Sequence, residues 1–180
     1  MRALLMIFVA LASVVGYGAV AEKPSSQFPQ VARYGGIVPT LNAVEPPRRE
    51  AKIVFDITVD NKPEEVNKGL ESVARYLNLN AAAGFRPTDI QLALVLHGGA
   101  TKVALGDTAY AKHTLATKNP NLELIHELKA CGVEVLVCGQ SLARNKYVAT
   151  EVASEVSIAV SAMTVNANKQ QDGYSYLFIH

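Results

Sequence analysis

Two aliphatic runs constrain this chain more than any other feature. Residues 90–96 and 133–137 are apolar at nearly every position, on both alternating sets of side chains. A strand that buries both faces needs helices above and below it, as in the parallel sheet of an α/β fold. The segments between the runs supply such helices. Val66, Leu70, Val73 and Leu77 recur at three to four residues and define one face of an amphipathic helix. Pro63 is expected to open that helix, where its missing N–H does no harm, and Gly84 to close it, with Pro87 beyond. Glu64 and Glu65 would then lie in the first turn, where acids suit the helix dipole. Asn121 is placed to cap a second helix carrying Leu122, Ile125 and Leu128, with Gly132 at its end.

The remaining segments complete the pattern. Residues 53–59 read as a β-branched strand, 156–160 and 174–179 as two more, and 140–149 and 163–172 as helices. Residues 101–119 read as a loop with a short helix. Strands separated by helices give βαβ units with right-handed crossovers. The expected fold is one three-layer α/β domain over residues 51–180, with a mostly parallel sheet of about five strands and helices on both faces. A chain of 180 residues has room for one such core and little more.

The preceding residues differ in kind. Residues 22–50 hold five of the eight prolines and the Gly35-Gly36 turn signal, so an extended or turned arm is expected. Its apolar residues, Phe28, Val31, Tyr34, Ile37, Val38 and Leu41, suit packing on the domain or on a neighbouring subunit; a disordered tether is the alternative. Residues 1–21 begin with Arg2, continue apolar to Val15 and end at Ala19-Val20-Ala21, the layout of a cleavable secretory signal peptide. The run is shorter than the roughly 20 residues of a spanning helix. The mature chain is expected to be exported, with a bacterial periplasm the simplest compartment, and to have no membrane association after cleavage. Without Arg2, basic and acidic side chains number 16 each, so the mature chain lacks the positive footprint of a nucleic-acid binder.

In open α/β sheets, ligands bind beyond the carboxyl ends of the strands. Two candidates stand there. Cys138, in Val135-Leu136-Val137-Cys138-Gly139-Gln140-Ser141-Leu142, ends an apolar strand and precedes a helix. N–H groups and the positive dipole end at a helix start favour thiolate. Gly139, Gln140 and Ser141 would supply the N–H groups that hold an anionic sulfur, with Gly139 admitting close backbone approach. His97, in Leu94-Val95-Leu96-His97-Gly98-Gly99-Ala100, emerges at the same edge and is a candidate proton or orientation partner for Cys138. The competing readings are a buried core cysteine and a histidine bonded only to its own loop.

Cys131 belongs at the other edge. A strand of the intervening length separates two Cα atoms by roughly 20 Å, whereas a disulfide needs about 4.4–6.8 Å. No intrachain bridge is expected. There is no Cys-x-x-Cys pair, and His97, His113, His126 and His180 lack metal-ligand spacing. Neither a phosphate-binding glycine loop nor a Gly-x-Ser-x-Gly elbow is present. Tyr174 and Tyr176 read as cover for the sheet. No cofactor is expected.

Taken with their order and spacing, these residues resemble the DsrE/DsrF-like family of sulfur-relay proteins, in its exported branch. The resemblance runs through Tyr34-Gly35-Gly36-Ile37-Val38-Pro39, Lys52-Ile53-Val54-Phe55-Asp56-Ile57-Thr58, His97-Gly98-Gly99-Ala100, the segment around Cys138-Gly139-Gln140-Ser141, and Gln171-Asp172-Gly173-Tyr174. It implies a small α/β fold that assembles into homotrimers or hexamers. It also implies a cysteine, here Cys138, that accepts sulfane sulfur as a persulfide and passes it to an acceptor thiol. The implied partners are sulfur donor and acceptor proteins or small sulfane-sulfur compounds. An oligomeric binding module in which Cys138 only lines a pocket is the alternative from another class.

Overall fold

The computed structural model describes residues 25–180. The signal-peptide reading of residues 1–21 and the first residues of the arm lie outside the described residues. From residue 51 the chain forms β1 (Lys52–Ile57), α1 (Lys68–Ala82), β2 (Gln91–Leu96), α2 (Asp107–His113), α3 (Leu122–Ala130), β3 (Glu134–Cys138), α4 (Gly139–Arg144), β4 (Ser157–Ala159), α5 (Ala162–Gln171) and β5 (Ser175–Ile179). All four strand pairings are parallel, and the order across the sheet is β4-β3-β2-β1-β5. The expected α/β sheet with helices on both faces is therefore what forms.

The strand order explains the layers. The chain steps from β1 to β2, β3 and β4 in one direction, and then returns to the far side of β1. With right-handed crossovers, the outward steps put their helices on one face and the return step puts α5 on the other. Ile53, Phe55, Ile57, Leu92, Leu94, Leu96, Val135 and Val137 face the first layer, where Leu70, Val73 and Leu77 of α1 and Leu124, Ile125 and Leu128 of α3 bury them. The alternate residues, Val54, Ala93, Val95, Leu136 and Cys138, face Ala162 and Val165 of α5. One short helix thus covers the second face.

Two sequence expectations are corrected. Pro63 does not open α1. Residues 63–65 form a turn, and the helix starts after Asn67, whose Oδ1 accepts the N–H groups of Gly69 (2.8 Å) and Leu70 (3.4 Å). A buried asparagine cap outweighs the proline signal, so Glu64 and Glu65 precede the helix. Asn121 precedes α3 but makes no side-chain cap. Its Oδ1 accepts the Asn67 N–H at 2.7 Å, and its Nδ2 donates to Asn119 at 2.8 Å, joining the starts of α1 and α3.

The first part of the arm lies on the domain. Val31 is fully buried and Ile37 nearly so, whereas Leu41 and Val44 are exposed. The anchor is Asn78 of α1. Its Oδ1 accepts from the N–H groups of Gln30 (2.8 Å) and Val31 (2.9 Å), and its Nδ2 donates to the carbonyls of Tyr34 (2.9 Å) and Gly35 (3.0 Å). Gly35 has φ of +61°, and a Cβ there would sit 2.2 Å from the Arg75 nitrogen, so only glycine lets the arm approach this closely. Among the described residues no helix is long and apolar enough to cross a membrane.

Removing the Asn78 amide leaves buried backbone groups unpaired, at about 1–3 kcal/mol. Asn78→Ala is expected to lower stability in urea denaturation by that amount and to make residues 27–37 the first site of limited proteolysis. Wild-type protease resistance in that segment contradicts the anchor.

Candidate functional site

Parallel pairing brings the carboxyl ends of all five strands to one edge. On the face covered by α5, alternation and register bring together Asp56 of β1, His97 just after β2, Cys138 at the end of β3 and Tyr176 of β5. Asp56, His97 and Tyr176 meet where β1 is flanked by β2 and β5, the point at which the strand order reverses and open α/β sheets bind ligands, and Cys138 stands on the next strand beside His97.

Cys138 is both the last residue of β3 and the N-cap of α4, and its Sγ accepts the Ser141 N–H at 3.4 Å. Only 5% of the residue is exposed. Burial alone would push the thiol up. The N–H groups of Ala162 at the start of α5, and of Ser141 and Gln140 in α4, outweigh burial together with the Ser141 hydroxyl. The thiol is held below the ordinary cysteine value. Cys131 gives the internal contrast. It is more exposed than Cys138, yet burial and the Glu127 charge raise it despite a hydrogen bond from Gln30. It caps α3 at the opposite end of β3, and both thiols are free.

The residues after Cys138 act differently from one another. Ser141 fits its expected place, since its N–H reaches the sulfur and its Oγ accepts the Gly98 N–H at 3.3 Å. That second bond ties the turn after β2 to the turn after β3. Gly139 serves a neighbouring strand. A Cβ there would stand 2.9 Å from the Ala159 carbonyl oxygen, so glycine is what allows β3 and β4 to run out side by side. The Gln140 side chain reaches the Val160 carbonyl at 3.4 Å and braces the same junction, while its N–H faces the sulfur.

His97 stands one step beyond the Leu96–Val137 pair, beside Cys138, on the same face. Its ring turns the other way. Nε2 lies 2.5 Å from Asp56 Oδ1, and the Tyr176 hydroxyl donates to Asp56 Oδ2 at 2.6 Å. Asp56 is 5% exposed. Burial would raise its carboxyl, but hydrogen bonds from His97 and Tyr176, the His97 charge and the Asn166 side chain outweigh it and lower it. Tyr176 is pushed up to about 12, chiefly by its bond to Asp56. His97 is thus part of a carboxylate network rather than a direct hydrogen-bond partner of the thiol.

Asp56 and Tyr176 are the functional candidates that sequence reasoning missed. Asp56 had a signal, being the one ionisable residue in the aliphatic run 53–59. Tyr176 had none, because its role depends on β5 returning beside β1. Among the described residues no three His, Cys, Asp or Glu side chains group as a metal ion requires. A cleft of about 820 Å³ lies at the other, amino-terminal edge of the sheet, between the arm, the end of α1 and the starts of β1 and β5.

Comparison with known proteins agrees with the architecture. The sequence pattern of the DsrE/DsrF-like family matches residues 65–179. A solved structure of a protein of unknown function from Methanobacterium thermoautotrophicum superposes with a TM-score of 0.53 at 17% identity, covering 72% of this chain and 100% of that one. At that identity the likeness concerns the fold. No curated protein matches the chain.

Gly139→Ala tests the junction that holds Cys138. Forcing a methyl group against the Ala159 carbonyl is expected to destabilise the fold by about 1–3 kcal/mol, read by urea denaturation. Wild-type stability would mean that β3 and β4 do not run out this close together.

Proposed function

Because the chain belongs to the DsrE/DsrF-like family, we propose that it is a sulfur-relay protein that carries sulfane sulfur on Cys138. Family membership points to sulfur relay in general. The observation that carries the residue assignment is the contrast between the two cysteines. Cys131 packs at the end of α3 and is raised by burial, whereas Cys138 caps α4, accepts the Ser141 N–H on its sulfur, and is lowered in spite of burial. N–H groups from two helix starts compensate a negative charge on its sulfur. The same groups suit the anionic outer sulfur of a persulfide, and the cover from Ala162 and Val165 shields it from stray thiols.

The chemistry needs no external oxidant. The Cys138 thiolate attacks the outer sulfur of a donor persulfide or polysulfide. The donor's S–S bond breaks, its inner sulfur leaves as a thiolate, and a Cys138–S–S bond forms. An acceptor thiolate then attacks the outer sulfur and releases the Cys138 thiolate. Sulfane sulfur passes along with no net change in oxidation state. The charge pattern and apolar run of residues 1–21 favour action outside the cytoplasm after their removal, with the periplasm as the compartment. The exposed aromatic and aliphatic side chains of β5, Tyr176, Leu177 and Phe178, favour a homo-oligomer over a solitary subunit.

The test is peptide mass spectrometry of the folded protein before and after inorganic polysulfide. The expected result is a reductant-reversible gain of one sulfur atom on the peptide containing Cys138, lost in Cys138→Ser and kept in Cys131→Ser. No gain in the wild type, or persistent gain in Cys138→Ser, overturns the assignment.

A further inference from the structure

Asp56, His97 and Tyr176 are engaged in a network that sulfur loading on Cys138 does not by itself require. The three come from three adjacent strands, β2, β1 and β5, and meet at the point where the strand order reverses. A nearly buried carboxylate in an aliphatic strand is expensive unless it is fully hydrogen-bonded, and here each oxygen has its own partner. We propose that Asp56, steadied by Tyr176, fixes His97 in the tautomer with the proton on Nε2, so that Nδ1 is the nitrogen that exchanges protons with the reacting sulfurs at Cys138. This deepens the sulfur-relay reading and rests on it for the reaction served.

The tautomer follows from elementary chemistry. An ionised carboxylate only accepts hydrogen bonds. Asp56 Oδ1, 2.5 Å from Nε2, therefore requires the proton to be on Nε2. In the neutral ring the lone pair is then on Nδ1, which has no hydrogen-bond partner among the described residues. Adjacent strands lie about 4.8 Å apart, and the register seats His97 beside Cys138 on the same face, so with Nε2 held by Asp56 the ring nitrogen left to serve the sulfurs is Nδ1. Direct contact or a single water is the reach a general acid–base requires.

The proton balance closes. Nδ1 takes the thiol proton of Cys138, leaving thiolate and imidazolium. The thiolate attacks the outer sulfur of R–S–SH, forming Cys138–S–SH and releasing R–S⁻. Nδ1–H then protonates R–S⁻ to R–SH and returns the ring to neutral. Asp56 stays ionised throughout and compensates the imidazolium. The groups that bond this carboxylate besides His97 are Tyr176 from β5 and Asn166 from α5, and Cys138 is the neighbour of His97 in register. The Asp60–Lys102 ion pair lies beyond Gly99 on the loop side.

The test begins with nitrogen-15 NMR of the wild-type protein at alkaline pH, which reads the tautomer of the neutral ring directly. A neutral His97 protonated on Nε2 is expected; protonation on Nδ1 overturns the proposal. The second readout is the pH profile of sulfur exchange between persulfidated Cys138 and a small thiol. Asp56→Asn and His97→Gln are each expected to change the shape of that profile and to slow exchange about 10–100-fold, the usual effect of losing a histidine's orienting partner. Tyr176→Phe is expected to keep the tautomer and lose only a few-fold. Two folded variants, Asp56→Asn and His97→Gln, with the wild-type profile and rate would contradict the role. If Cys138 takes up no sulfur at all, the relay reading falls, while the wild-type spectrum still decides what Asp56 does to His97.

Discussion

Parallel pairing of all five strands is the constraint from which the site follows. Each strand must be re-entered from the same end, so every carboxyl terminus reaches one edge and every helix start reaches it too. A residue at the end of a strand therefore finds N–H groups waiting. Cys138 is such a residue twice over, because α4 follows it directly and the return crossover brings the start of α5 over its sulfur. The same return places β5 beside β1 and delivers Tyr176 to Asp56. Had β5 paired next to β4 instead, neither contact would exist.

The two faces of the sheet divide the work. The face under α1 and α3 is a deep aliphatic core that also anchors the arm through Asn78. The face under α5 is thin, and α5 buries only Ala162 and Val165. Polar groups concentrate on that thin face at the carboxyl edge, where solvent is near enough to receive protons and the sheet is rigid enough to hold distances. Asp56 belongs to the second face although its neighbours Phe55 and Ile57 belong to the first. One ionisable residue in the alternation converts a strand from pure packing into part of a site.

Much of the architecture was legible because apolar periodicity and glycine punctuation are local. The strands around Leu94, Leu136 and Phe55, the helices around Val73 and Ile125, and the endings at Gly84 and Gly132 stand in the structure within a few residues of their predicted places. The family pattern and the α/β sheet were legible from the same residues. The misreadings share one cause, which is long-range polar pairing. Asn67 overrides Pro63 as the start of α1 because it is bonded to Asn121, 54 positions away. That Gly139 stands against the Ala159 carbonyl is another contact that only the strand order creates. His97 neighbours Cys138 in register, and what no local pattern showed is that its Nε2 is held by Asp56 across the other neighbouring strand. Strand order decides all of these, and no local pattern reports it.

The central claim is that converging N–H groups lower the Cys138 thiol below the ordinary cysteine value despite its burial. It is tested most directly by titrating the thiolate absorbance of the folded Cys131→Ser variant, which needs no reagent to reach the sulfur. The account predicts a midpoint below the ordinary cysteine value of about 8.5, with the thiolate absorbance disappearing as pH falls through that lowered midpoint. A midpoint above that value would mean that burial wins, and that Cys138 is a packing residue like Cys131.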